Sequence, residues 1–345
     1  MSDASAVELI LYTERGTNPA VTVANIDSVV WRLNRTGVAR LFLPYADPLC
    51  NPARLAFGNR ALIRFGNNLP AFGGVIDVPR IRTEAGVSFW VYSADRILSW
   101  RVSDKIASFT SESPGTIAQT LLETANATHD TTISPVLIYD TGEPRTEEYN
   151  YSNLLDAFQR LARQSGEDFK VAPRLDGERL VFDLIWTNQM GSDKSEHVAF
   201  IQGTNIATPI EVNEQGPIAS HVYEAGGGAG GTTWTSRLVG EEENTETMAN
   251  YGYREYAEVQ TGIFDQPTLD AIAAATLDQL DHPRGHMKVE AQDKAPARFD
   301  QYIVGDQCRV EAYLDRPGWE YVGRVRVLGR SWTAAGTCRL EVIEW

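Results

Sequence analysis

Alternation of apolar and polar residues dominates both ends of the chain. Near the C-terminus three segments alternate: 307–314 (QCRVEAYL), 321–328 (YVGRVRVL) and 337–343 (TCRLEVI). A strand turns successive side chains to opposite faces. Cys308, Val310, Ala312 and Leu314 therefore share one face, and Val325 and Val327 share one face of the next segment. Turn-forming residues at 316–318 (RPG) and 334–336 (AAG) separate them. The stretch 302–345 is predicted to be an antiparallel meander with one buried face.

The same succession occurs earlier, over 58–93. Gly58-Asn59 aligns with Gly305-Asp306, each pair opening a strand, and 74–78 (GVIDV) aligns with 323–327 (GRVRV). Gly86 then aligns with Gly336 ahead of the third strand. Identity is low, so what repeats is the order of strands and turns, which predicts two similar antiparallel β-barrel or sandwich domains.

Between them the periodicity changes. Short strands over 6–13, 28–33, 37–44, 60–65, 74–78 and 87–92, with a turn at 47–51, fill the first hundred residues. From Ser103 onward, Ser113-Pro114-Gly115 opens a helix over 116–125, and 131–139 returns to strand. The helix over 151–164 has Ser152 as its cap, Leu154, Leu155, Phe158, Leu161 and Ala162 on one face, and Gly166 as its stop. Strands 168–173 and 179–185 follow, joined by an Asp176-Gly177 turn. Residues 205–237 are strand-like but interrupted by the glycine run at 226–231, and 241–247 reads as an acidic, mobile segment. The expected class is mainly β with an α+β insert. A first β tube-type domain covers 1–102 and a smaller α+β domain 103–203. A second β tube-type domain over 204–345 contains helix 265–280, strand 287–291 and the meander.

Composition narrows the function. The 345 residues carry a formal charge of −15, with no Lys/Arg cluster, which disfavours sequence-specific nucleic-acid binding. An acidic surface also suits a channel past which DNA must slide without sticking. No apolar run reaches the roughly 18 residues of a membrane span, and no signal peptide is visible. Three cysteines (Cys50, Cys308, Cys338) fit a reducing compartment better than a disulfide scaffold; Cys308 and Cys338 read as small buried hydrophobes.

Candidate chemistry is sparse. The glycine run lacks the Gly-Lys-Ser/Thr ending of a phosphate cradle. His282 and His286 are four apart, but Pro283 and Gly285 break the helix that would align them on a metal. His129-Asp130, His197 and His221 are isolated, and no Gly-x-Ser-x-Gly elbow occurs. Glu147-Glu148, Asp183 and 241–243 (EEE) are carboxylates that a glycosidase could use in pairs, yet chance pairs are expected among 46 acidic residues. The eight Trp and thirteen Tyr keep a saccharide-stacking surface open as an alternative. No catalytic, cofactor or metal residue is assigned.

Three stretches resemble the tail-hub, or baseplate-hub, family of tailed phages and related contractile injection systems. They are the C-terminal YIVGDQCRVEAYL…YVGRVRVLGRSW…GTCRLEVIE, the passage 153–184 (NLLDAFQRLARQSGEDFKVAPRLDGERLVFDL), and the N-terminal GNRALIRFGN…FGGVIDVPRI. The resemblance implies a non-enzymatic, cofactor-free homotrimer whose two β domains per chain make a pseudo-hexameric ring at the distal end of the tail tube. Its implied partners are the tail tube or distal tail protein, the tape measure protein, and a central spike or fibre. DNA would pass through the lumen without specific binding. Assembly would be in the host cytoplasm and residence in the virion. The alternatives are a carbohydrate-binding or glycan-hydrolysing tail component and the hub portion of a secretion-system spike.

Overall fold

Six strands come first: β1 (Ala6–Tyr12), β2 (Ala20–Arg32), β3 (Val38–Pro44), β4 (Arg60–Arg64), β5 (Phe72–Arg82) and β6 (Gly86–Ser93). They lie in the order β1-β4-β5-β6-β3-β2, and β1 pairs with β2 as well as β4. The sheet therefore closes into a six-stranded antiparallel barrel, which leaves no unpaired edge where it closes. Alternation buries Leu9, Leu11, Ala24, Ile26, Leu41 and Phe89 inside it. The computed structural model describes residues 6–65, 69–103, 106–206, 208, 210–227, 237–313, 320–333 and 337–345.

The α+β insert follows as β7 (Ala107–Glu112), α1 (Pro114–Thr128), β8 (Ile133–Ile138), β9 (Arg145–Tyr149), α2 (Leu154–Ser165), β10 (Asp168–Asp176) and β11 (Arg179–Thr187). Strands β10, β11 and β8 form one sheet and β7 pairs with β9. Ser113 caps α1 by accepting from the Thr116 amide. The cap of α2 is Asn153 rather than Ser152: its side chain accepts from the Leu155 and Asp156 amides. Ser152 is held elsewhere, its amide donating to Ser103 Oγ at 2.9 Å. Gly166 ends the helix at φ 71°, where a side chain would be strained. The apolar face of α2 joins Phe169, Phe182 and Trp186 in a second core, which also takes Ile10, Leu62 and Val75 from the outside of the barrel.

Strands β12 (Ala199–Ile201) and β13 (Glu211–Gln215) come next. Then β14 (His221–Gly226), β15 (Val239–Glu243), α3 (Thr245–Tyr251), β16 (Glu255–Gln260) and α4 (Gln266–Leu280) build a separate three-stranded sheet, β15-β14-β16, covered by α4. The segment 241–247 is ordered: β15 pairs with β14, and the Asn244 side chain accepts from the Glu246 and Thr247 amides to start α3. The glycine run begins at the end of β14; its residues 228–231, and the turns at 316–318 and 334–336, lie outside the described residues.

The chain ends with β17 (Arg284–Gln292), β18 (Gln307–Ala312), β19 (Tyr321–Thr333) and β20 (Thr337–Glu344). The order β12-β18-β19-β20-β17-β13 reproduces, position for position, that of the first barrel. The repeated Gly-Asn and Gly-Asp pairs make the same hydrogen bonds. The Gly58 amide donates to Ile76 O and the Ile76 amide to Asn59 O, while the Gly305 amide donates to Val327 O and the Val327 amide to Asp306 O. One alignment made on sequence is two residues out. Gly74 matches Val325, because Ile63 and Phe72 are paired across nine positions where Val310 and Gly323 are paired across thirteen. A slip of two keeps every side chain on its face. Here β12 is parallel to β18, and the gap between the outer strands is spanned by single bridges, Gln202 to Ile206 and Ile206 to Ala291. The two barrels meet where β2 pairs with β19, from Arg32–Gly329 to Ser28–Thr333, so one twelve-stranded sheet and one continuous core run through both.

Candidate assembly surface

The residues weighed for chemistry are dispersed. Glu147 is buried on β9 beside Arg145 Nη1 (3.5 Å) and Arg160 Nη2 (3.8 Å), and it accepts from the Tyr149 hydroxyl at 2.6 Å. Burial and that carboxylate push the Tyr149 hydroxyl well above its ordinary range. Glu148 points to the opposite face of the strand, and its amide donates to Gly262 O. Asp183 on β11 takes both oxygens to Arg174 Nε, at 3.0 and 2.8 Å. Glu241 on β15 pairs with His221 Nε2 at 2.8 Å, whereas Glu242 and Glu243 are exposed. These carboxylates sit on three different sheets.

His282 contacts its neighbour Asp281, whereas His286 stands in β17 opposite Asn213. His129 caps the end of α1, with its carbonyl accepting from Arg101, and His197 closes a turn onto Lys194. Among the described residues no group of three metal-ligating side chains gathers. Cys308 and Cys338 are free and fully buried on the strands that flank β19, with Tyr302 between them in the core. Burial pushes the Cys308 thiol up to about 12, so it stays protonated and unreactive.

What the structure does gather is a joint. Asp168, at the start of β10, accepts from Asn34 Nδ2 (2.9 Å) after β2 and from the Met190 amide (2.7 Å), and it pairs with Arg326 of β19. Arg326 also stacks on Trp345, 4.7 Å from the ring centre. One carboxylate thereby ties the first barrel, the insert and the second barrel together. Sequence reasoning missed it because the partners lie far apart and none belongs to a motif.

The other feature is a strand overhang on each barrel. β3 joins β2 only from Asn25 onward, leaving 20–24 with one edge unpaired among the described residues. β20 joins β19 only from Val325, leaving 321–323 in the same situation. Both overhangs display apolar side chains outward: Val21 is 60% and Val23 65% exposed on β2, and Val322 is 59% exposed on β19. Free strand edges with exposed β-branched residues are templates for pairing with another chain.

No protein-family model and no curated protein matches the sequence. Solved structures do. The 43 kDa tail protein of prophage MuSo2 from Shewanella oneidensis aligns over 97% of this chain and 98% of its own, with a TM-score of 0.64 at 14% identity. The fold is that of phage tail proteins. Prophage tail protein gp18 from Listeria monocytogenes aligns over 97% of this chain and 94% of its own, with a TM-score of 0.62 at 11% identity. The c3393 protein of Escherichia coli, a type VI secretion component described as similar to T4 tail proteins gp27 and gp5, covers 93% of this chain. The alignment spans 74% of c3393, with a TM-score of 0.51 at 10% identity. The tail-protein fold is mainly β here, built on the closed barrel and its repeat. No described helix is long and apolar enough to cross a membrane.

Proposed function

We propose that this chain is a structural, non-enzymatic tail hub. Three copies form a ring of six quasi-equivalent barrels at the distal end of the tail tube. The ring joins the tube or distal tail protein and tape measure protein to a central spike or fibre, and DNA passes through without specific binding. The particle is assembled in the host cytoplasm and the hub resides in the virion tail tip. The observation that carries this reading is the identical strand order of two barrels within one chain. Three such chains present six similar units, enough to mate a hexameric tube to a threefold tip without strained contacts. The free edges at 20–24 of β2 and 321–323 of β19, on strands that do not correspond in the two barrels, are open to neighbouring copies, and a chain charge of −15 suits a lumen that DNA must not adhere to.

Sedimentation equilibrium tests it. The expected species has three times the 38.2 kDa chain mass. Val23→Lys, at an exposed position that faces Glu8 across β1, is expected to shift the protein to a monomer that remains folded by circular dichroism. A stable dimer would sink the proposal, because twofold pairing cannot offer six equivalent units. The similarity to c3393 supports a second reading, the hub portion of a secretion spike. Co-assembly with purified tube protein from a phage tail or from a secretion system separates the two.

A further inference from the structure

The seam that joins the two barrels has an unfilled counterpart. Within the chain, β2 from Val29 to Arg32 lies beside β19 from Gly329 to Trp332, with Trp31 opposite Arg330. The shared ladders show which residues repeat that arrangement. Ile76 and Val327 correspond by their bonds to Asn59 and Asp306. They face Val91 and Val342, which face Ala39 and Met287, which in turn face Val29 and Val212. The seam segment of β2 is therefore repeated by β13, where Glu214 takes the place of Trp31. The seam segment of β19 is repeated by the end of β5. Both strands bulge after the matched pair, and then Arg80 faces Phe89 as Arg330 faces Leu340.

Arg80 and Arg330 make the same contacts inside their own barrels. Nη1 of each donates to the carbonyl three residues before the strand-opening glycine, Leu55 O at 2.7 Å and Tyr302 O at 2.8 Å. Each guanidinium stacks on a ring, Phe57 at 4.6 Å and Tyr302 at 4.7 Å. They differ in what covers them from outside. Trp31 lies on Arg330 at 5.6 Å, and that arginine is 1% exposed. Arg80 is only half-buried and has no ion-pair partner among the described residues. Glu214 is exposed and equally without one. Among the described residues, the edge of β13 away from β17 is unpaired, and β4 stops pairing with β5 at Val75, well short of Arg80.

We infer that β13 of one copy pairs with the end of β5 in the next, antiparallel and in the register of the β2–β19 seam. Glu214 then stands opposite Arg80, Asn213 opposite Ile81, and Val212 opposite Arg82. A carboxylate meets the guanidinium where the seam within the chain lays Trp31 on Arg330. The two edges belong to different barrels, so the contact is heterologous and each chain offers both halves. The inference rests on the ring proposed above, whose barrels it joins by one kind of seam, alternately within and between chains. It is a contact separate from the free edges at 20–24 and 321–323.

Disulfide trapping on the full chain tests the register. Cys50→Ser removes the cysteine that is not buried, and Ile81→Cys is combined with Asn213→Cys, both at exposed positions outside the core. Opposed residues of an antiparallel pair are about 5 Å apart at Cα, within reach of a disulfide. Mild oxidation should give a disulfide-linked trimer on a non-reducing gel. The pair Ile81→Cys with Glu214→Cys, whose side chains leave opposite faces, should give at least about tenfold less. In the otherwise unaltered chain, Glu214→Arg should raise the concentration at which the trimer dissociates by about tenfold or more, with circular dichroism unchanged. A sedimenting trimer that yields no linked chains, or links both cysteine pairs equally, overturns the inference and leaves the ring standing. Unchanged dissociation of Glu214→Arg overturns the contact with Arg80. Linked chains in a species other than a trimer uphold the pairing and overturn the ring, and a chain monomeric at every concentration overturns both.

Discussion

Removing the charge of Asp168 should loosen the joint between the barrels more than its single atom change suggests. Asp168→Asn keeps the shape and one oxygen, which can still accept the 2.7 Å bond from the Met190 amide. It leaves Arg326, 6% exposed, without its anion. The guanidinium retains Met190 O (3.2 Å), Gly305 O (3.3 Å) and the Trp345 ring, so its cost is only partly offset. Breaking a buried pair from one side typically costs about 3–5 kcal/mol; with these residual contacts we expect about 3 kcal/mol. Urea unfolding followed by tryptophan fluorescence measures it. Arg326→Met should cost a similar amount, and the double variant should fall short of the sum by about 2 kcal/mol, as expected for groups in direct contact. A loss below about 1 kcal/mol for Asp168→Asn, or strict additivity, would refute the view that this ion pair locks the three parts.

Three further outcomes follow from single sites. Gly74→Ala should destabilise by about 3 kcal/mol or more, read by the same unfolding assay, because the new Cβ would lie 1.7 Å from Tyr92 O. With native protein a thiol reagent should modify Cys50 alone, since Cys308 and Cys338 are buried and held protonated; denaturant should release all three. Glu224, fully buried beside Gln260 and Thr276, has its carboxyl raised by burial, so the folded state holds its proton longer than the unfolded one. Stability should therefore fall as pH rises from the ordinary carboxylate range through the raised folded value, and Glu224→Gln should flatten that fall in a pH series of unfolding curves.

The barrels were legible because alternation and turn residues are local: Gly58-Asn59 and Gly305-Asp306 mark the same strand opening in sequence and in space. The sheet β15-β14-β16 was not, because its parallel pairing of β14 with β16 leaves no hairpin turn to read. The burial of Arg330 was hidden by a single extra residue. The register of β19 against β20 shifts between Val327 and Gly329, which reverses the alternation. Val325 and Val327 face the core before the shift, and Arg330 and Trp332 are buried after it. A plain period of two would have put Arg330 on the face of Arg324 and Arg326, away from the core that Val325 and Val327 line.

The seam between β2 and β19 also bears on synthesis. It pairs residues some three hundred positions apart, near the two ends of the chain. The N-terminal barrel can form as it leaves the ribosome, but its docking to the second must await the last strands to be translated. Until then the edge of β2 that β19 will cover is bare, and it stays so for nearly the whole of the chain's production. Subunits made side by side on one message are thus exposed to exchanging β19 with one another before each has closed on its own.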